Sequence, residues 1–197
     1  MTDVSSKVVA IEHLTLDGVY QAPARADEDT RNDFTHGGWS RAGDDPLMQQ
    51  AIGSYMASGW SLLVGRTTYE DLYEGWQIRQ PSSQMTHALR TVRKLVVSRN
   101  ATYQPRWENS TMLSGEACDT VAELKKKHDR TLIIFGSGAL VRSLLPGVLI
   151  DELVLMIDPL VLGAGLRLFE RSSVAKMSLS GLNRTDTGVM IATYQLR

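Results

Sequence analysis

The chain has 197 residues, 43% of them hydrophobic and 22% charged, with 21 Lys and Arg against 22 Asp and Glu for a net charge of -1. That balance fits one ordinary soluble domain, gives no electrostatic footing for nucleic acid, and leaves no apolar stretch long enough for a transmembrane helix. Its one cysteine, Cys118, excludes an internal disulfide and a thiolate zinc site, and the polar residues 1–7 lack the apolar core of a signal peptide, so the cytoplasm is the expected compartment.

The first expected element is a buried strand over residues 8–14, a mostly apolar run with β-branched side chains. Asp17-Gly18 ends it with turn chemistry. Residues 19–43 show no helical period, and a stretch this long is usually a functional loop. Phe34, His36, Gly37, Gly38 and Trp39 favour an ordered lid or pocket wall, with Trp39 suited to stack on a flat heterocycle. Asp44-Asp45-Pro46 opens a helix with an apolar stripe of Leu47, Ala51 and Tyr55, to which Met48, Ile52 and Met56 can add, closed by Ser58-Gly59. The two acids serve the helix dipole or touch a substrate.

A strand over 60–64 and a helix over 67–73 follow, then a polar connection over 76–91. Strands over 94–97 and 111–113 precede a surface helix over 119–128, whose Lys125 to Lys127 run reads as a solvated face. Residues 131–135 form a strand and 139–145 a helix broken by Pro146-Gly147. The pattern then changes to strands over 152–157, 176–182 and 189–196 with no helix between them. This predicts an α/β fold with antiparallel additions at one sheet edge.

Three strand ends share a chemistry. The run 60–64 leads into Gly65-Arg66-Thr67-Thr68, the run 95–97 into Ser98-Arg99-Asn100, and the run 132–135 into Gly136-Ser137-Gly138-Ala139-Leu140. Ligands of open α/β sheets bind outside the carboxyl ends of the strands, where helix starts present N–H groups to anions. Two of the ends carry an arginine, whose fork matches phosphate oxygens. Taken singly, Thr67 is a helix cap and Gly136-Ser137-Gly138 a close-packing turn. Three such ends on one sheet point to a phosphorylated dinucleotide. His13, His36, His87 and His128 show no ligand spacing, so no metal site is expected.

Gly65-Arg66-Thr67-Thr68-Tyr69-Glu70, Val97-Ser98-Arg99 and Gly136 to Leu140 fall in the order seen in the dihydrofolate reductase fold. Leu16-Asp17-Gly18-Val19, Asp151-Glu152-Leu153, the Pro159 to Gly165 stretch and Leu168-Phe169 are more specific. With them the chain resembles a stand-alone member of the riboflavin-biosynthesis bifunctional protein's C-terminal reductase family, over nearly its whole length. The resemblance implies one dihydrofolate reductase-like, three-layer domain over residues 1–197: a mainly parallel central sheet, an antiparallel C-terminal edge and flanking helices. It implies NADPH as cofactor. Gly65, Arg66, Thr67 and Thr68 would lie at its phosphates, with Arg66 near the 2′-phosphate, Ser98 and Arg99 at the adenosine ribose and 2′-phosphate, and Gly136, Ser137, Gly138, Ala139 and Leu140 at the pyrophosphate and nicotinamide ribose. Ile11, Asp17 and Gly18 would border the nicotinamide.

The implied activity is hydride transfer to a pterin-like or ribosylamino-pyrimidine substrate, as in 5-amino-6-(5-phosphoribosylamino)uracil reductase. Protonation would come from solvent or from a loop carboxylate, with Asp17 and Asp45 the candidates. The alternatives are dihydrofolate reduction and a non-catalytic NADPH-binding module. An ungapped count back from Gly65 places Gln49 where dihydrofolate reductases carry a carboxylate, which argues against folate, while a small shift would bring Asp45 into that role. The paired cysteines of a deaminase half are absent. The expected partners are a small heterocyclic substrate and a second copy in a homodimer, with neither nucleic acid nor membrane.

Overall fold

The computed structural model describes residues 6–40, 45–57, 59–170 and 174–197. Asp44 and Ser58, singled out above, lie outside the described residues. In chain order the elements are β1 (Val8–Thr15), α1 (Pro46–Met56), β2 (Trp60–Gly65), α2 (Arg66–Leu72), a π-helical turn (Tyr73–Ile78), α3 (Gln84–Thr91), β3 (Arg93–Ser98), β4 (Ser110–Ser114), α4 (Ala117–Lys127), β5 (Thr131–Phe135), α5 (Gly138–Leu144), β6 (Glu152–Asp158), β7 (Met177–Arg184) and β8 (Met190–Leu196). They build one mixed sheet in the order β4-β3-β2-β5-β1-β6-β8-β7. The first six strands run parallel. β8 is antiparallel to both β6 and β7.

Two expectations change in detail. The antiparallel edge begins at β8, because β6 joins the parallel set beside β1. The polar connection over 76–91 instead holds the π-helical turn and α3. Ser83 caps α3 through its hydroxyl, which accepts from the Thr86 N–H. The buried Thr86 hydroxyl donates to the Trp76 and Gln80 carbonyls, tying the two turns together. Polar side chains that satisfy backbone groups locally produce no apolar stripe, so a periodicity reading passes over them.

β1 is buried along its whole length, as a central parallel strand must be. Alternation sends Val9 and Ile11 to one face with Ile133, Val154, Met48 and Ile52 of α1. It sends Val8, Ala10 and Leu14 to the other, with Leu140, Val141 and Leu144 of α5. Each fully buried aliphatic side chain contributes about 1.5–3 kcal/mol. A third, small cluster of Val19, Ala22 and Phe34, with Trp39 and Leu162 against it, packs the segment after β1 onto the 159–167 loop. No helix among the described residues is long and apolar enough to cross a membrane.

Candidate active site

Strand register lines up the carboxyl ends. Gly65 pairs with Val97, and Leu62 pairs with Ile133, which brings Gly65 level with Gly136. Ile11 pairs with Phe135, so Glu12 stands level with Gly136, one residue past the last β1–β5 pair. Beyond that pair β5 turns away while β1 continues beside β6 to Asp158. The split opens a slot at the centre of the sheet, the place where open α/β folds bind ligands.

The glycine-bearing turns on either side of β5 are joined. The Gly65 N–H donates to Ser137 Oγ at 3.2 Å, and Thr68 Oγ1 donates to the Gly136 carbonyl at 3.1 Å. A further bond, from the Gly136 N–H to the Ile11 carbonyl at 3.1 Å, ties the turn to β1. Gly136 adopts φ +64, which suits glycine. A Cβ placed on Gly65 or Gly136 would find its nearest neighbour only at 4.0 or 3.8 Å, so a ligand could approach both backbones closely. Thr67 and Ala139 are exposed on the first turns of α2 and α5, while Leu140 is core packing beneath α5.

The arginines are loosely held. Arg66 lies 3.5 Å from Glu70 with 45% of its side chain exposed, and sits 5.7 Å from the Tyr103 ring centroid. Arg99 is exposed just past β3, and Ser98 Oγ shapes its turn by accepting from the Asn100 N–H. Because Gly65 and Val97 are paired, Arg66 and Ser98 each begin one residue beyond the same row.

Asp17 is a structural hub. Its carboxylate accepts from the Thr15 hydroxyl, the Leu162 and Gly163 N–H groups and the Arg167 guanidinium. The Thr15 bond, helped by these other donors, holds its pKa far below the ordinary carboxylate range. Gly18 completes the turn at φ +79, with open space where a Cβ would stand. Asp45 is the N-cap of α1, accepting from the Leu47 and Met48 N–H groups. Its second oxygen takes the Thr187 hydroxyl of the β7–β8 turn, and its pKa is lowered although burial opposes this. Both acids are therefore held ionised, and an ionised carboxylate has no proton to give at neutral pH. Gln49 is exposed on α1. Trp39 donates its ring N–H to the Gln21 carbonyl and packs in the small third cluster.

Two groups at the slot carried no weight in the sequence reading. Glu12 is buried, with burial raising its pKa to about 8. Tyr20 lies across Gly138, its ring carbons 2.7–2.8 Å from where a Cβ would stand. The signal for Glu12 was present: an acid interrupting an apolar strand. On the opposite face of β1, burial holds the His13 ring neutral, with its pKa lowered to about 4. His13 lies 3.5 Å from Ser40 Oγ and edge-on to Phe135.

Two concavities lie at the amino ends of the strands. One, of about 390 Å³, is lined by Lys7, Asp151 and Glu152; the other, of about 480 Å³, by Arg93, His128 and Arg130. Neither touches the row of joined glycine turns, and the carboxyl edge remains the candidate site.

The fold itself can be compared with those of known proteins. The chain is similar in fold to a Shewanella sp. PV-4 protein named for riboflavin biosynthesis (TM-score 0.68, 19% identity, covering 97% of this chain and 99% of that one). It is similar to a pyrimidine reductase-like protein from Corynebacterium diphtheriae (TM-score 0.61, 12% identity, 98% and 92% covered). It is also similar to dihydrofolate reductase from Enterococcus faecalis, solved with NADP(H) (TM-score 0.61, 14% identity, 97% and 96% covered). No curated protein matches. The family model for the RibD C-terminal domain matches residues 6–191, and the chain belongs to that family.

Proposed function

We propose that the chain is an NADPH-dependent reductase that transfers a hydride to a pterin-like or ribosylamino-pyrimidine substrate. The observation that carries this reading is the union of Gly65–Thr68 with Gly136–Gly138, bonded to each other beside the β1–β5 split. The donor set fits a phosphorylated dinucleotide: two glycine backbones open to close approach, and exposed guanidinium groups at the tips of neighbouring strands. The dihydrofolate reductase with the same fold was solved with NADP(H), which supports the choice of cofactor. The pyrimidine reductase-like neighbour supports the substrate class.

When bound, NADPH supplies the hydride. The chain supplies orientation and exclusion of water. Gly65, Arg66, Thr67 and Thr68 grip the phosphates, with Arg66 near the 2′-phosphate, Ser98 and Arg99 hold the adenosine ribose and 2′-phosphate end, and Gly136 to Ala139 hold the pyrophosphate turn, with Leu140 packed beneath it. Ile11 and Gly18 flank the nicotinamide. Asp17 fixes the turn that carries Gly18, and Asp45 fixes α1. Protonation of the substrate then falls to solvent. Folate is disfavoured, because Gln49 is neutral and Asp45 is consumed as a cap. The reading includes a homodimer.

The test is thermal stability with each nucleotide, since a ligand of the native state alone raises the melting temperature. NADPH should raise it more than NADH does. If neither nucleotide shifts it at millimolar concentration, the reading fails.

A further inference from the structure

Glu12 is the buried titratable group to which the dinucleotide reading gives no task. It is 1% exposed, and neither carboxyl oxygen makes a well-formed hydrogen bond, the Ser137 N–H acting on it from outside that geometry. Buried polar atoms are nearly always paired, so an orphaned carboxyl at the centre of a ligand slot calls for an explanation.

Its surroundings are specific. On its face of the sheet, β1 contributes Ala10 and Leu14 and β6 contributes Leu153 and Leu155, all in one apolar cluster. The ionisable groups acting on it are Arg142 of α5 and the hydroxyl of Tyr20, while the Ser137 N–H favours its charged form. Arg31 acts on Tyr20. The Tyr20 ring closes the space above Gly138. Arg142 lies 5.4 Å from the centroid of that ring and is anchored by a 2.8 Å bond to the Arg167 carbonyl. The carboxyl, the ring and the Gly136–Gly138 turn thus lie together at the β1–β5 split.

We propose that Glu12 positions the nicotinamide-riboside half of a bound dinucleotide, which reaches it when the Tyr20 ring lifts off Gly138. This rests on the NADPH reading given above. A neutral carboxyl offers one O–H donor and one carbonyl acceptor, which a primary carboxamide or a ribose hydroxyl can complete. The ionised form only accepts, and it would place a buried negative charge beside a pyrophosphate. Burial keeps the group neutral at pH 7.

The experiment titrates NADPH into the full chain over a range of about two pH units either side of the Glu12 pKa. Wild-type affinity should hold level at low pH and fall by about tenfold per unit once pH passes about 8. Glu12→Gln keeps a donor and an acceptor but cannot ionise. It should bind within about threefold of wild type at neutral pH and show no such fall. The fragment 2′,5′-ADP, which carries only the adenosine end, should give the same level profile with both proteins. A second readout covers a variant that folds poorly. In wild-type protein, NADPH binding should shift a carboxylic-acid carbonyl band in the infrared difference spectrum. A shared pH profile for wild type and Glu12→Gln, or no moving acid band, overturns the assignment and leaves the NADPH reading standing. NADPH binding to neither protein at any pH overturns both.

Discussion

Single side chains decide the chemistry of the carboxyl edge. Arg66 is exposed and held loosely, by Glu70 at 3.5 Å and the Tyr103 ring at 5.7 Å, so its guanidinium is available to an incoming phosphate. Arg66→Ala should weaken NADPH by about tenfold while leaving NADH within about twofold, measured by equilibrium titration, because only NADPH carries the extra phosphate. Glu12 makes stability depend on pH. Its folded pKa, about 8, lies above the ordinary 4.5, so the folded state holds the proton more tightly. The stability this contributes is complete below about pH 4.5 and is lost as pH rises through about 8. Glu12→Gln should therefore melt with wild type in mild acid and above it in mild alkali, by on the order of a few kcal/mol. Asp17 shows the opposite sign. Its lowered pKa contributes stability at neutral pH that is lost in strong acid.

At the scale of elements, legibility followed patterning. The parallel strands and α1, α4 and α5 could be read because apolar runs and caps announce them. The Gly65, Ser98 and Gly136 strand ends could be read because small and phosphate-seeking residues closed apolar strands. α3 could not, because its anchor is tertiary. Lys94, inside β3, turns its ammonium back to the Leu89 and Val92 carbonyls and lies 4.9 Å from the Trp107 ring centroid. A lysine in an apolar strand gives no sign in sequence that it caps the preceding helix. Lys94→Met should leave those carbonyls unpaired and cost roughly 1–3 kcal/mol in urea denaturation, with β3 intact. Glu12 and Tyr20 escaped for a related reason. Their meaning depends on a register between β1 and β5, strands more than a hundred residues apart.

For the whole molecule, the unresolved term is assembly. β7 is the outer strand, and a register shift between Leu179 and Gly181 brings Leu179 and Leu182 to one face, opposite Tyr194 and Ala192 of β8. Both leucines are more than half exposed. A homodimer seated there should appear at twice the chain mass in light scattering, and Leu182→Lys should return it to one chain mass without lowering the melting temperature of the fold.

The cluster of Val19, Ala22 and Phe34 shares no residue with the two cores of the sheet. The covering segment is stitched down by its own bonds, among them Gly38 N–H to the Ala22 carbonyl and Tyr20 N–H to the Leu166 carbonyl. Apart from Tyr20, which also packs against a sheet core, it is held by these local contacts, and it is expected to open at a lower free energy than the strands. Hydrogen exchange should accordingly find the Tyr20 and Gly38 amides swapping deuterium long before those of Ile133 and Val154, and saturating NADPH should slow the first pair alone. A fold that can raise its cover without melting its floor can admit and release a bulky guest on every turnover.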